Sequence, residues 1–586
     1  MADAPLQNSF ALPKPKRKVP VALIGLLAAI VLGVFGANQY IARHRTLHLI
    51  SGLKEPVTVT IDGGAPTTLS GPFPTTVPIA EGPHHVVISG GLTDELDITL
   101  SSGFFDRFFS TPLFVLNPGG TSLLTHETVV YTKVQLPNGG GSFEFLFGQP
   151  YLQFPDVDYA FLPFPKTINA NHDGNVSRSR IGLVEEPVSK VIVRMLSDKK
   201  DADAVRLAEW QLKLHPEDTR TLELYLAITA GTPAAVQAHA FVKERLKVRP
   251  LEPEWHRIFL QMTATDQERE ELAEVYDALL KAEPENAPAF YLRGLLFKDG
   301  AHARPYFEQA IQKASKLIWP RVALAQYFVA RGDWKAAKAQ LELAHTLAPD
   351  NEDINDQFDD ARFALGEYGA LEADLGRELT INPGDIKLNI HLCDVFVAQH
   401  KPADAKALAE NFAALLGAQN ADGLNLGQSF FEYTLYAINN FAELEKTAPK
   451  GSKIYFQTLF ELGRIKELCE QMPLNGQTEP FWALAISAAW KSKGDDAKAK
   501  LWRQKAASLF KTSTGSGGNI AAILLGTDAP TLEAVADLGL SPKQEATLLA
   551  VLAQEFPAKA EEFRTLARAL NTDFAFPYYF LKTLLK

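Results

Sequence analysis

The chain has 586 residues, 46% of them apolar and 22% charged, the make-up of a folded protein with more than one domain, which excludes wholesale disorder. A net charge of −11 disfavours broad nucleic-acid binding, which needs a basic face against phosphate. The two cysteines, Cys393 and Cys469, form no CxxC pair, so neither a disulfide framework nor a structural zinc site is indicated.

The first 18 residues read as a disordered tail that ends in a basic cluster, Lys14, Lys16, Arg17 and Lys18. Residues 19–42 then carry no charge, and 21–37 is almost purely aliphatic plus glycine. A helix of ~20 apolar residues spans the ~30 Å hydrocarbon layer, so 19–42 is predicted to be a transmembrane helix, closed by Arg43, His44 and Arg45. The alternative is a cleavable signal peptide. Cleavage after Ala37 would put Phe35 at −3, where a small residue is wanted, and the stretch is long for such a segment. An uncleaved anchor is therefore favoured. Basic residues are more numerous before the helix than after it, which points to a cytoplasmic N-terminus with the bulk of the chain outside.

From residue 46 the pattern turns to β. Val57, Val59 and Ile61 alternate with Thr58 and Thr60 and are followed by the turn Asp62-Gly63-Gly64. Val77 and Ile79, then Val86 and Ile88, then Leu96, Ile98 and Leu100 repeat the alternation between Glu81-Gly82-Pro83 and Gly90-Gly91. Period-two runs cut by such dipeptides predict short antiparallel strands over 46–103. In Val59, Ile61, Asp62, Gly63, Pro74, Val77, Gly82, His84, Val86 and Ile88 this stretch resembles a PEGA domain, a small β module. The resemblance implies a place outside the membrane of a bacterial-type envelope. His84 would then be a strand-edge residue, because no further ligand stands at metal-binding spacing.

Residues 104–186 are predicted to be a β and irregular connector. Val129, Tyr131, Val134 and Leu136 point to strands around the Gly139-Gly140-Gly141 turn. Phe143, Phe145, Phe147, Tyr151, Phe154, Tyr159, Phe161 and Phe164 follow, interleaved with Pro150, Pro155, Pro163 and Pro165. The expected arrangement is a wrap whose aromatics dock on the β module or the first repeat. A surface for a glycan or partner is the sharper alternative. The Asn-His-Asp-Gly-Asn run at 171–175 reads as a loop, and a domain boundary is placed at 181–187.

Over 187–511 the chain beats at 34 residues. Pro216, Pro250 and Pro284 are 34 apart, as are Pro349 and Pro383. Counting Ile318 as position 1, Leu324, Ala325 and Phe328 fall at 7, 8 and 11, and Ala337, Leu341, Ala344 and Pro349 at 20, 24, 27 and 32. In each helix these positions share one stripe. Small residues at 8 and 20 allow close approach, Gly332-Asp333 breaks the chain between helices, and the proline ends the second one. The unit resembles the tetratricopeptide repeat, except that Arg321 replaces the tryptophan usual at position 4. About eight units of unequal fidelity share the register, among them those with Gly294, Gly366, Cys393 and the segment 481–507. Residues 512–586 are predicted to be a Gly/Ser loop and capping helices, with the aromatic tail at 574–585 docking on the solenoid end.

The fold class predicted is thus multidomain: one transmembrane helix, a small antiparallel β domain and an all-α superhelical solenoid. No catalytic motif is present among P-loop, GxSxG, HExxH and EF-hand patterns, so no enzyme, metal or cofactor is expected. Stacked helix pairs present a concave face. The resemblance places positions 2, 5 and 9 of each unit on it, here Tyr291, Leu295, Trp319, Val322, Gln326, Asp353, Asp356, Asp360, Lys387, Ile390 and Asp394. An aromatic–aliphatic patch beside an acidic one complements a basic or mixed peptide. The expected function is a membrane-anchored, non-catalytic scaffold for protein assembly. The alternatives are polysaccharide or surface-layer binding through the aromatic connector, and an enzyme hidden in 46–180 around His84, His85, His126 and His172.

Overall fold

The computed structural model describes residues 21–71, 73–132, 141–168, 176–416, 425–472, 479–513 and 516–586. The basic cluster at 14–18, Val134, Leu136, Gly139 and Gly140, the run at 171–175 with His172, and Thr514-Gly515 lie outside the described residues. The chain divides into two compact units, Met1–Phe241 and Val242–Lys586.

In the first unit, helix α1 (Val21–Arg43) leads directly into strand β1 (Arg45–Leu49). The strands that follow are β2 (Val57–Ile61), β3 (Thr67–Leu69), β4 (Thr75–Ile79), β5 (Gly82–Gly90) and β6 (Asp94–Leu100). A short helix, α2 (Asp106–Phe109), precedes β7 (Leu113–Leu116), β8 (Leu124–Tyr131), β9 (Ser142–Leu146), β10 (Tyr151–Phe154), β11 (Tyr159–Ala160) and β12 (Val176–Leu183). They form three four-stranded sheets, ordered β3-β2-β5-β6, β10-β7-β1-β4 and β11-β12-β8-β9.

Alternation decides how the sheets layer. Val57, Val59, Val86, Ile88, Ile98 and Leu100 from the first sheet share a core with Leu47, Leu49, Phe114 and Leu116 from the second. The neighbouring residues on the opposite side of that second sheet, Leu113, Val115 and Leu152, pack with Leu124 and Ile181 of the third. All four residues of β7 are consequently buried, which is why its sequence, LFVL, is a continuous apolar run rather than an alternating one.

The PEGA-like stretch is split by this arrangement. Its first and last strands pair antiparallel, with Val59 opposite Ile88 and Ile61 opposite Val86, but Val77 lies on β4, in the facing sheet beside β1. Strands β7 and β10, from the predicted connector, complete that same sheet. Residues 46–103 and 104–186 therefore share one core, and the boundary read between them crosses a continuous sheet. The prolines of the connector fall between strands of two to eight residues, so it holds more regular structure than an irregular wrap.

Helices α3 (Val188–Ser197), α4 (Asp201–Leu214) and α5 (Thr219–Thr229) follow in the same unit. Trp210 on α4 reaches back to the β layers, its indole N–H donating to the Gly120 carbonyl at 3.1 Å and its ring lying 5.5 Å from that of Phe147.

The second unit is a helical repeat solenoid. Helices Ala287–Gly294 and Gly300–Lys313, Trp319–Val329 and Trp334–Leu347, and Glu352–Ala364 and Tyr368–Ile381 are antiparallel neighbours, each pair packed on the next. Ile386–Ala398 with Pro402–Leu416 and Pro480–Ser492 with Asp496–Lys511 continue the pattern, with shorter pairs between them. In the unit at 318, Ala325, Ala337 and Ala344 are fully buried and Leu341 nearly so. Gly332 takes a left-handed φ of +72°, and Asp333 caps the next helix by accepting from the Ala336 N–H at 3.0 Å, so the dipeptide both stops one helix and starts another.

The last segment does more than close the end. Asp537 accepts from the Gly300 N–H at 3.1 Å, Phe576 stacks on Trp482 with ring centroids 4.3 Å apart, and the Tyr579 hydroxyl donates to the Ala437 carbonyl. Residues from Ala325 to Leu585 share one hydrophobic core. The tail runs against the repeats along its length instead of sitting only on the final one.

Candidate functional site

The first helices of the repeats line a groove in the second unit. Its open part is a cavity of about 350 Å³ bordered by Tyr291, Leu295, Trp319, Val322, Gln326, Asp353 and Asp356, with Arg257, Gln261, Ala323 and Gln357. Tyr291 and Val322 are nearly buried and form its apolar floor. Seven of the eleven residues expected on the concave face thus converge on one wall.

The charges there are partly satisfied. The Arg257 guanidinium lies 4.1 Å from the centroid of the Trp319 ring, a cation–π contact. Lys387 pairs with Asp356 at 3.1 Å, and that hydrogen bond raises the lysine pKa. The Gln326 amide donates to Gln357 at 3.2 Å, and Gln357 donates in turn to the Asp353 carbonyl oxygen at 3.1 Å. Asp353 is exposed. The acidic triplet read from the sequence is therefore uneven, with Asp356 already holding a cation.

Asp360, the third of that triplet, faces two further cavities. One, of about 650 Å³, lies between Tyr327, Arg331 and Trp334 on the repeats and Asp537, Leu540 and Glu545 of the C-terminal segment. The other, of about 240 Å³, is lined by Asp359, Asp360, His391 and Asp394 on the repeats and by Lys543 and Asp573 from the same segment. Burial raises the Asp360 carboxyl pKa to about 6, with His391 opposing and Asp573, Asp356 and Asp359 adding. Burial raises Asp394 to about 8 against the lowering effect of its 2.6 Å bond from the Tyr433 hydroxyl. Ile390 packs beside the Cys393–Phe412 core instead of lining any of these cavities.

Glu545, Asp537, Lys543 and Asp573 come to these cavities from the C-terminal segment. Arg331 bridges to Asp537 at 3.0 Å, and Lys543 is held by Asp573 at 2.8 Å and Asn571 at 2.6 Å. No periodic signal links these residues to repeats more than 100 positions away.

In the first unit, His84 and His85 hold turns and strands together. His84 joins Asp62 at 2.6 Å and the Ala80 carbonyl at 2.8 Å, so it braces the Asp-Gly turn. His85, the next residue on β5, pairs with Asp97 on β6 at 2.9 Å. His126 lies on β8 in another sheet, facing Phe154. Among the described residues no group of histidines, cysteines and carboxylates is arranged to hold a metal ion. Of the aromatic run, Phe143 is exposed and the rest are half-buried. Arg194 lies over Phe145, Arg206 over Phe147 and Arg180 over Phe164.

No protein-family model matches the chain, and no curated protein matches it either. Among solved structures, the APC/C hetero-tetramer Cut9-Hcn1 is 14% identical, covering 68% of this chain and 90% of that one at a TM-score of 0.23. The human IFIT1 dimer with m7Gppp-AAAA is 13% identical over 67% of this chain and 91% of that one, at 0.29. The P58(IPK) TPR domain is 14% identical over 60% and 96%, at 0.15. These scores are too low to carry an argument, and the solenoid rests on the helix pairing itself.

Proposed function

We propose that the chain is a membrane-anchored, non-catalytic scaffold of a bacterial-type cell envelope whose solenoid groove holds an extended peptide segment of a partner protein. The observation that carries this reading is the cavity at Trp319, which combines an aromatic wall, an apolar floor of Tyr291 and Val322 and the exposed carboxylate of Asp353. Grooves of this make-up take side chains of a peptide as anchors. Because Asp353 remains open while Asp356 is paired, a basic or mixed-charge segment complements it best.

The anchor half of the reading draws on α1. It contains a 19-residue apolar stretch, Gly25–Arg43, little of which is buried. Its end is not a detachable leader in its contacts: Asn38 and Ala42 are buried, and the Ala42 carbonyl accepts from the Glu81 N–H at 2.7 Å. Cleavage after Ala37 would leave Asn38 as a charged terminus inside a packed region, which argues for retention. The PEGA-like pattern and the basic cluster before α1 support an extracytoplasmic β domain and solenoid.

The test is peptide selection on the full chain in detergent, comparing the natural protein with Trp319→Ala and Asp353→Lys. Enrichment of peptides with basic residues, lost in both variants, is the expected result. Enrichment indifferent to Trp319 removes the groove from the proposal. Protease accessibility in intact and permeabilised cells checks the side of the membrane.

A further inference from the structure

We infer that the loop carrying α2 is a second membrane contact, in which Phe105 and Phe109 enter the headgroup–acyl boundary beside α1. The inference rests on α1 being a membrane anchor and adds a surface that the anchor alone does not require.

Phe105 and Phe109 are 71% and 84% exposed, the latter higher than any other large hydrophobic side chain among the described residues of this unit. Their neighbours fix where that exposure lies. The Phe104 ring is 5.3 Å from Phe35 on α1, and it contacts Phe105 at 5.4 Å and Phe108 at 6.0 Å. The Asn38 side chain donates to the Phe104 carbonyl at 2.7 Å. Arg107 donates to Asn38 at 2.6 Å and pairs with Glu81 at 2.6 Å. Glu81 also holds Arg45 at 2.7 Å. The loop is thus clamped to α1 at the level of residues 35–38.

That level is the end of the apolar stretch. Leu26, Leu27, Ile30, Val31, Leu32 and Phe35 are exposed on α1, whereas Tyr40 and Arg43 close the helix and Arg45 opens β1. An exposed tyrosine and basic residues at a helix end mark the membrane–water boundary. From Phe35 to Tyr40 the helix rises by roughly 7.5 Å, a distance within the depth that interfacial aromatic side chains occupy. The phenylalanines therefore continue the apolar surface of α1 sideways at the depth where the bilayer ends. A lipid surface is the occupant already present there. The salt-bridged base of Arg45, Glu81 and Arg107 holds the loop rigid while its apolar side chains face outward.

Photo-crosslinking of the full chain in phosphatidylcholine–phosphatidylglycerol vesicles tests this. p-Benzoylphenylalanine replaces one residue at a time: Leu32, Phe105, Phe109 and Phe73. Phe73 is a matched control, 78% exposed, but it precedes Thr75, which pairs with Leu49 at the end of β1 away from α1. Lipid adducts at 32, 105 and 109 with none at 73 are expected. Adducts at 32 without any at 105 and 109 overturn the inference and leave the anchor standing. Absence of adducts at 32 overturns the anchor reading and the inference together. Protein dimers in place of lipid adducts at 105 and 109 give the face to a second copy, which also overturns it.

Discussion

The indole N–H of Trp334 donates a 2.8 Å hydrogen bond to the carbonyl oxygen of Ala569, 235 positions further along the chain. Trp334 opens the second helix of the clearest repeat and is 8% exposed. Its ring joins the repeats to the C-terminal helix Ala560–Leu570, whose Leu566 also approaches Gly332. Trp334→Phe removes the donor while keeping an aromatic ring in the site and is expected to cost about 1 kcal/mol. Trp334→Ala also empties the site and is expected to cost about 3–5 kcal/mol. Urea unfolding followed by circular dichroism measures both, and a Trp334→Phe variant as stable as the natural protein would deny the hydrogen bond any separate role.

Glu81 carries the link between α1 and the β layers. Its side chain is 5% exposed and meets Arg45 and Arg107. Burial would raise its pKa, but hydrogen bonds from Arg107, Ser102 and Arg45 outweigh that and hold it down at about 2. A carboxylate depressed in the folded state contributes fully above its unfolded pKa near 4.5 and loses that contribution as pH falls towards 2. The thermal midpoint of the first unit should therefore drop across pH 4.5 to 2. Glu81→Gln should flatten that drop and cost about 3–5 kcal/mol at pH 7, because two guanidinium groups lose their shared counter-charge.

The buried acids of the second unit act with the opposite sign. Burial raises Glu545 to about 8, with Arg331 opposing and Asp537 adding, and among the described residues neither of its carboxyl oxygens has a hydrogen-bond partner. Asp394 is raised to about 8 and Glu461 to about 7, in the latter case by burial against a hydrogen bond from Tyr436. Between the unfolded pKa near 4 and these values the folded state holds more protons, so stability falls as pH rises from 4 to 8. The second unit should melt at a higher temperature at pH 5 than at pH 8. Glu545→Gln should raise the pH 8 midpoint by about 2–4 °C and change the pH 5 midpoint less, which differential scanning calorimetry resolves.

At the groove, Trp319→Ala is expected to weaken a selected peptide by about 2 kcal/mol, roughly 30-fold, as removal of a central aromatic anchor does. Asp353→Lys should discriminate by charge, weakening a basic peptide while sparing a neutral one. Lys387→Ala frees Asp356 from its 3.1 Å partner and should tighten the basic peptide. Isothermal titration in low and high salt measures all three, and the charge effects should shrink with added salt.

How far the sequence foretold this depends on range. Ala325 and Ala337, separated by one helical hairpin, could be placed because a 34-residue beat needs small residues where two helices meet. Val59 and Ile88 were legible because alternation names the buried side of a strand. Val77 was not, since period two says nothing about which sheet a strand joins. The pairing of Lys387 with Asp356 was not: the offsets put both residues on the concave face without joining them. Asp537 beside Arg331, and Lys543 and Asp573 beside Asp394, obey no period at all. They reach the two cavities at Asp360 because the tail folds back along the repeats, a consequence of apolar area on Phe574, Phe576 and Tyr579 that hydrophobicity reveals without giving it an address.

Gly294 shows what the repeat demands at its crowded position. A Cβ built there would lie 2.5 Å from Cε1 and 2.9 Å from Cδ1 of Phe307, and 3.2 Å from the Tyr306 Cβ. Phe307 is 6% exposed and sits in the core with Tyr291 and Leu324, so shifting its ring disturbs that packing. Gly294 ends the helix Ala287–Gly294, where alanine would otherwise be favoured over glycine by helix propensity. That gain is below about 1 kcal/mol, whereas overpacking a filled core costs about 1–3 kcal/mol. Gly294→Ala should therefore destabilise the second unit. The same change at Gly376, within the helix Tyr368–Ile381 and with nothing within 4 Å of its added Cβ, should stabilise it by up to about 1 kcal/mol. Opposite shifts of the two urea midpoints are the expected result, and a loss at both positions would mean that the glycines serve the chain for some reason other than the approach of paired helices.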